Sequence, residues 1–478
     1  MPTHTAAIPQ SLREIVQSFS SCFTKPGAKN FTTLIVGWIM CQARHSISRV
    51  IQASGAVDES SRHFSTFYRF LSHGRWDIDA VGKVLFRQLA RLTRSREITL
   101  IIDDTVCHKS GPHLFGGAMH YDSHKSTYGR GTNTGRKGFF AFGHNWVVAA
   151  IWIPYPWNVL RGIAVPFVFR LYRSKKNCPP KSYRKRTELA KDIIALVESW
   201  LPNNHSLHVL GDAEYACKTV VRNLPKEVAF SGPMNMLAAL FDQPIERKGR
   251  GRPALRGKRL LSPRELAKSK ATPWTEVTVK MYGAKVTMLT KTAVCLWYTV
   301  AHSRPVRMIV TRDPSRRLGD RAYFTTEIGL SVEQVLAQYA RRWEIEVSFR
   351  NTKQCVGLES PQNGWWRRLK GTRRPKKKAG PNPKKRIGEN AINQTLAMAF
   401  AAHAIVILWY WKHGKPKADV SLIRETSPWY RHKSEPSFAD MLAAVRREIW
   451  VERFSSNPLI QGARSKIRKL LPPWLLAA

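Results

Sequence analysis

Four residues of YARRWEIEVSFRNTK (339–353) have the types and spacing to do chemistry on an anion: Tyr339, Arg342, Glu346 and Lys353. At roughly 100° per residue they fall within an arc of about 60°, one stripe along a single helix. Ile345 and Phe349 flank the stripe on one side, Trp343 and Val347 on the other. Arg341, Glu344 and Asn351 take the far face, where solvent is expected. The apolar flanks turn the stripe inward. A carboxylate taken inward is costly unless it is paired, hydrogen-bonded or bound to metal, so Glu346 needs a counterpart.

Two apolar runs supply candidates. EITLIIDDTV (97–106) ends in Asp103 and Asp104, and LHVLGDAEY (207–215) carries Asp212 in the same position. Continuous apolar runs of this length predict strands buried on both faces. Alternation sets Asp103 and Asp104 on opposite faces; because the run covers both faces, periodicity leaves open which of them serves a site. One of that pair, with Asp212 and Glu346, gives three separated carboxylates. Such a set suits a pair of Mg²⁺ ions, with Mn²⁺ as a substitute, which favour carboxylate and water oxygens and keep positions open for phosphate. The chemistry would be phosphodiester cleavage.

The elements that must position these acids follow from the patterning. Residues 1–94 read as helical, in FTTLIVGWIMCQARHSISRVIQ and DAVGKVLFRQLARLTR, and suit either a DNA-binding head or a helical cap. From residue 95 to 240 strands and helices alternate: FGHNWVVAAIWI and VPFVFRLY as strands, TELAKDIIALVESWL and ACKTVVRNL as helices, EVAFSG as a short strand. That alternation predicts an α/β core with acids at strand ends. Residues 241–310 break the rhythm and read as a β-rich insertion, and the core resumes over 311–362 with the Glu346 helix. RRLKGTRRPKKKAGPNPKKR (367–386), inside a linker of 363–387, holds eleven Lys or Arg and no acid. It is placed along a phosphate backbone, with Lys376, Lys377 and Lys378 as contacts. Residues 388–478 read as helical.

Composition narrows the partners. The chain has 478 residues, 43% hydrophobic, which excludes a disordered protein, and a formal net charge of +45. An excess this large repels itself in a compact chain and points to a polyanion, nucleic acid first and an anionic membrane surface second. AINQTLAMAFAAHAIVILWYW (391–411) is long enough to span a bilayer but carries Asn393, Gln394 and His403, and reads as a buried helix. Seven cysteines without a CxxC pair indicate neither a zinc module nor a disulfide framework. With no secretory pattern in MPTHTAAIPQ, a reducing, cytoplasmic location is expected, and no membrane partner.

The constellation resembles the DDE transposases of the insertion-sequence-four (IS-four) type, marked by Tyr-x2-Arg-x3-Glu-x6-Lys. Tyr339, Arg342, Glu346 and Lys353 match that signature without a gap. DDT (103–105) resembles the first acid motif, GDAEY (211–215) the second and GLESPQ (357–362) the continuation of the third, so the resemblance covers roughly residues 95 to 362. It implies an RNase H-like catalytic core interrupted by a β-rich insertion, with helical terminal regions. It also implies Asp104, Asp212 and Glu346 as catalytic metal ligands, Asp104 being chosen because it directly precedes Thr105. Arg342, Lys353 and Tyr339 would contact DNA. The implied reaction is nicking at terminal inverted repeats followed by attack of the freed 3′-hydroxyl on target double-stranded DNA. A homodimer in a synaptic complex, nucleoid-associated in a bacterium, is expected. Trp274 and Trp297 are candidates for an aromatic residue that grips a flipped base in some members, with core packing the favoured role for each. GRGRP (249–253) is similar to minor-groove-binding tracts, with a solvated basic loop as the alternative. The rival readings are a metal-dependent nuclease on the same fold and a catalytically dead DNA-binding regulator.

Overall fold

The computed structural model describes residues 7–55, 63–110, 114–122, 139–244, 254–360 and 386–455. Lys376, Lys377, Lys378 and the GRGRP tract lie outside them. The helices α1 (Gln10–Gln17), α2 (Lys25–Met40), α3 (Ile47–Ser54), α4 (Ser65–Ser72) and α5 (Ile78–Ala90) precede the first strands. These are β1 (Glu97–His108), β2 (Ala118–Tyr121), β3 (Phe140–Tyr155) and β4 (Asn158–Tyr172). Then come α6 (Arg186–Glu198), β5 (Ser206–Gly211), α7 (Lys218–Val221) and β6 (Val228–Met234).

Ile98, Leu100, Ile101 and Ile102 of β1 are fully buried, as a run apolar on both faces demands. β1 pairs antiparallel with β3 and parallel with β5, and β5 runs parallel with β6. The parallel pairing of β1 and β5 stops at Ile102 opposite Gly211, while β1 continues along β3 as far as His108 opposite Gly143. Asp103 and Asp104 therefore stand beside the carboxyl end of β5, where Asp212 follows.

The segment after β6 holds β7 (Leu240–Phe241), β8 (Arg259–Leu260), α8 (Pro263–Lys268), β9 (Thr275–Met281), β10 (Ala284–Cys295) and α9 (Tyr298–Ala301). It leads into β11 (Val306–Arg312) and β12 (Arg321–Thr325). β7 and β8 form their own small sheet. β9 and β10, joined through the left-handed Tyr282 and Gly283, add to the main sheet instead. Among the described residues that sheet has ten strands in the order β2-β3-β1-β5-β6-β12-β11-β10-β9, with β4 also on β3.

The sequence predicts one helix through Tyr339, Arg342, Glu346 and Lys353; the structure breaks it into α10 (Val332–Ala340) and α11 (Trp343–Cys355). Between them, Arg341, Arg342, Glu344 and Ile345 each donate a backbone bond three residues back, to Gln338, Tyr339, Arg341 and Arg342. Such tightened bonding winds the chain faster than an α-helix, so Tyr339 is not carried on the same helix as Glu346. The burial also departs from expectation. Ile345, Ser348, Phe349 and Thr352 form the buried face, whereas Trp343 is 50% exposed. Arg341, expected in solvent, lies over the Trp152 ring, 4.1 Å from its centroid.

The C-terminal part comprises α12 (Arg386–His413), α13 (Pro416–Thr426) and α14 (Phe438–Ser455). Of the described helices, α12 alone has the length and hydropathy to cross a membrane, and 89% of its apolar window is buried inside the protein. It packs on α1, α2, α4, α5, α14 and β4. The N- and C-terminal helices thus form a shared layer. Arg446 of α14, 1% exposed, fixes that layer: its Nε donates to Ile39 O at 2.6 Å and its Nη2 to Cys41 O at 2.9 Å. These carbonyls end α2, where a helix presents partial negative charge.

Candidate active site

A cavity of about 960 Å³ lies past the end of β5, with Asp103, Asp104, Asp212, Glu346, Arg342 and Lys353 in its walls. Three elements bring the acids there: the outrun end of β1, the turn after β5, and the first turn of α11. Tyr339 is not in the cavity wall; its ring packs on Tyr323 of β12, centroids 5.0 Å apart, and burial pushes its hydroxyl up to about 12.

Asp103 and Glu346 meet through one guanidinium. Arg342 donates to Asp103 at 2.9 Å and to Glu346 at 3.0 Å. Asp103 also caps its own neighbour, accepting the Asp104 backbone N–H at 2.8 Å. Burial raises the Asp103 carboxyl to about 8; Arg342 opposes the rise, and Asp212 and Asp104 add to it. Asp104 turns the other way. Its Oδ2 accepts from Asn145 Nδ2 at 2.7 Å and Arg186 Nη1 at 3.1 Å, and its Oδ1 from the Tyr215 hydroxyl at 3.2 Å. The two aspartates sit on opposite faces of β1, as alternation requires, yet line the same cavity.

Asp212 Oδ1 accepts the backbone N–H groups of Glu214 and Tyr215, a side-chain turn that holds the carboxylate at the strand end. Its carboxyl is raised, first by burial, with the Asp104 charge adding to it. Lys353 Nζ donates to Val106 O at 2.7 Å and lies 3.5 Å from Glu359. The turn that delivers Glu359 needs Gly357. Its φ is +61°, and a Cβ there would lie 2.5 Å from the His45 ring.

Several site residues escape sequence reasoning. Asn145 and Arg186 hold Asp104, but no local pattern links β3 or the start of α6 to β1. Glu214 pairs with Arg186 at 2.8 Å; the GDAEY motif contained Glu214 and Tyr215, and their place beside the acid was the available signal. His108, two alternations beyond Asp104, bonds Asp122 at 2.7 Å. Trp297 is 6% exposed with its ring packed against Phe324, as its packing role requires, and the half-buried Trp274 lies between Lys291 and Arg312.

Among the described residues, no group of three or more His, Cys, Asp or Glu side chains is arranged to hold an ion. Arg342 and Arg186 now supply the positive charge that these carboxylates need. The donor set nonetheless fits a hard divalent cation, since it is made of carboxylate oxygens. Burial is what raises Asp103 and Asp212 first, with the neighbouring acids adding to it and Arg342 opposing it.

A family model described as DDE superfamily endonuclease matches residues 18–295, which hold Asp103, Asp104 and Asp212. Another, described as archaeal putative transposase ISC1217, matches residues 289–373, which hold Arg342, Glu346 and Lys353. No curated protein matches the chain. A solved structure, the cryo-electron microscopy structure of a piggyBac transposase synaptic complex with hairpin DNA, is similar at 10% identity and a TM-score of 0.38, over 99% of this chain and 83% of that one. With more than half of its length matched by the first of these models, the chain belongs to the DDE superfamily endonuclease family.

Proposed function

We propose that the chain is a DNA transposase of the IS-four type, which cuts DNA at terminal inverted repeats and joins the freed 3′-hydroxyl ends to target DNA. The observation that carries this reading is the meeting of Asp104, Asp212 and Glu346, from three separate elements, in one cavity with Arg342 and Lys353. An RNase H-like core is supported by the sheet: β4, β3 and β1 run antiparallel, and β5 and β6 continue parallel to β1. Residues 241–310 are then the insertion, and 1–94 and 388–478 the flanking helical regions.

Asp104, Asp212 and Glu346 would hold the divalent cations. Two Mg²⁺ ions, or Mn²⁺, would supply activation of the attacking oxygen and stabilisation of the leaving one. The side chains do the remaining work. Asn145 and Tyr215 fix both oxygens of Asp104, and the backbone of Glu214 and Tyr215 fixes Asp212. Arg342 and Lys353 hold phosphate in register once DNA offers oxygens better placed than Asp103 or Val106. Tyr339 acts by packing beside Arg342 rather than by touching DNA. The basic linker with Lys376, Lys377 and Lys378 follows the backbone of double-stranded DNA, and two copies of the chain pair the ends.

The test is a cleavage and joining assay on labelled transposon ends in Mg²⁺. Glu346→Gln keeps a partner for Arg342 but loses the charge, so cleavage should fall at least about 1,000-fold, with end binding within roughly threefold. Near-normal cleavage by Glu346→Gln would remove α11 from the site. Nicks without joined products would make the protein a nuclease on this fold.

A further inference from the structure

β9 ends the main sheet on its far side, and its outer edge is unpaired among the described residues. An open edge invites another strand, and proteins usually blunt it with proline, a bulge or a surplus of charge. β9 (TEVTVKM) has no proline, and its two charges cancel. Its register with β10 runs from Thr275 opposite Thr290 to Met281 opposite Ala284 without a shift. Val277 and Val279, its inward side chains, are buried in a small core with Ile309, Val335 and Leu336, which holds the strand in one register.

The exposed side chains of β9 are less well served. Glu276, Thr278 and Lys280 all face solvent. Lys280 stands opposite Lys285 of β10, and Glu276 opposite Leu289. Like charges directly opposite destabilise a strand pair. Yet the three exposed residues are symmetric about Thr278. A second β9 laid antiparallel on the open edge, Thr278 against Thr278, would set each Glu276 opposite the other copy's Lys280 and each Val277 opposite the other's Val279. A slip of two residues either way breaks both charge pairs. Two chains of formal charge +45 repel each other over most of their surface, whereas this strand is neutral and complements itself.

We propose that β9 is the contact strand of a two-fold homodimer, in which the β9 edges of two copies pair antiparallel about Thr278 and carry one sheet through both. The proposal deepens the reading that two copies of the chain act together, and rests on that part of it alone. α10 packs on β9 and leads into α11, so in each copy the contact adjoins the elements that present Glu346. One short strand pair is small beside the roughly 1,200 to 2,000 Å² of a stable interface, so the dimer is weak, with a dissociation constant on the order of 10 μM.

The test is sedimentation velocity on the full-length protein without DNA, over concentrations spanning that constant. The wild-type protein should pass from monomer to dimer. Glu276→Lys and Lys280→Glu should each self-associate at least about tenfold more weakly, since each sets like charges opposite in both pairs. Glu276→Lys combined with Lys280→Glu should restore wild-type association, and the two single variants, mixed, should pair with each other. Both side chains are exposed, so the variants should fold, and their circular dichroism should match the wild type. Single variants that associate as the wild type does overturn the contact, as does a combined variant no stronger than the singles or a wild-type protein that stays monomeric throughout. Nicking of labelled ends, measured in parallel, keeps the two readings apart: nicking with association indifferent to the charge swaps removes the β9 contact alone, and swap-sensitive association without nicking removes the cleavage reading alone.

Discussion

Replacing Arg342 by Met tests whether the cavity is built for a cation. The guanidinium holds Asp103 and Glu346 at 2.9 and 3.0 Å, with side-chain exposures of 16% for Arg342, 12% for Asp103 and 21% for Glu346. Met fills the space of the stem but leaves two acids facing each other. Breaking a buried pair costs about 3 to 5 kcal/mol, and the low end applies here because the cavity admits water. Without divalent cation, Arg342→Met should therefore lose about 3 kcal/mol. Mg²⁺ should then return much of it. Binding to the folded state alone contributes about 2.7 kcal/mol at one hundred times the dissociation constant. In the native protein that gain is smaller, since a cation must first displace the guanidinium. Denaturant unfolding of both proteins, with and without Mg²⁺, measures the difference, expected to be about 2 kcal/mol in favour of the variant. Equal gains in the two proteins would mean that Asp103 and Glu346 are only structural partners of Arg342 and that cation binding lies elsewhere.

Asp104→Asn should be inactive in metal-dependent cleavage while Asp103→Asn keeps measurable activity, and the opposite result would exchange their roles. Burial lowers His45 to about 4, and His144 and His403 to about 3. Their folded values are depressed, so stability is intact above the unfolded value of about 6.5 and is lost as pH falls below it. At pH 5 each should cost about 2 kcal/mol; unfolding midpoints unchanged between pH 7 and 5 would show that these rings are not buried neutral. Replacing Lys376, Lys377 and Lys378 with Ala should reduce the slope of log binding constant against log salt by roughly 2 to 3, and an unchanged slope returns them to a solvated linker.

What could be read before the structure was whatever rests on local pattern. β1, β3, β4 and β5 were legible as apolar runs, and the acids of β1 and of the turn after β5 followed. Helix α12 announced itself by being apolar on every side. Pairing was not legible. Because β1 is buried on both faces, nothing local says that Val106 lies opposite Asn145, and so nothing names Asn145 as the residue that holds Asp104. The break between α10 and α11 was hidden for another reason. Two residues of tighter winding leave the apolar spacing nearly unchanged, so periodicity runs through a joint that the backbone does not. Arg341 misled through its type: a cation expected in water found the face of Trp152 instead.

The clasp between the two ends of the chain has a consequence for biosynthesis. Arg446 closes on Ile39 across 407 residues, and Trp409 reaches Ser11 across 398. At the usual 5 to 20 residues per second, α2 waits roughly 20 to 80 s after emerging from the ribosome for its final neighbour. For that interval Trp38, Ile39 and their companions are an exposed apolar surface, a natural client for chaperones. The acids of β1 and β5 are made early, but the layer that supports them closes last. A nascent or prematurely ended chain would therefore present a strand with its aspartates yet lack the packed scaffold to aim them, which delays activity until synthesis is nearly finished.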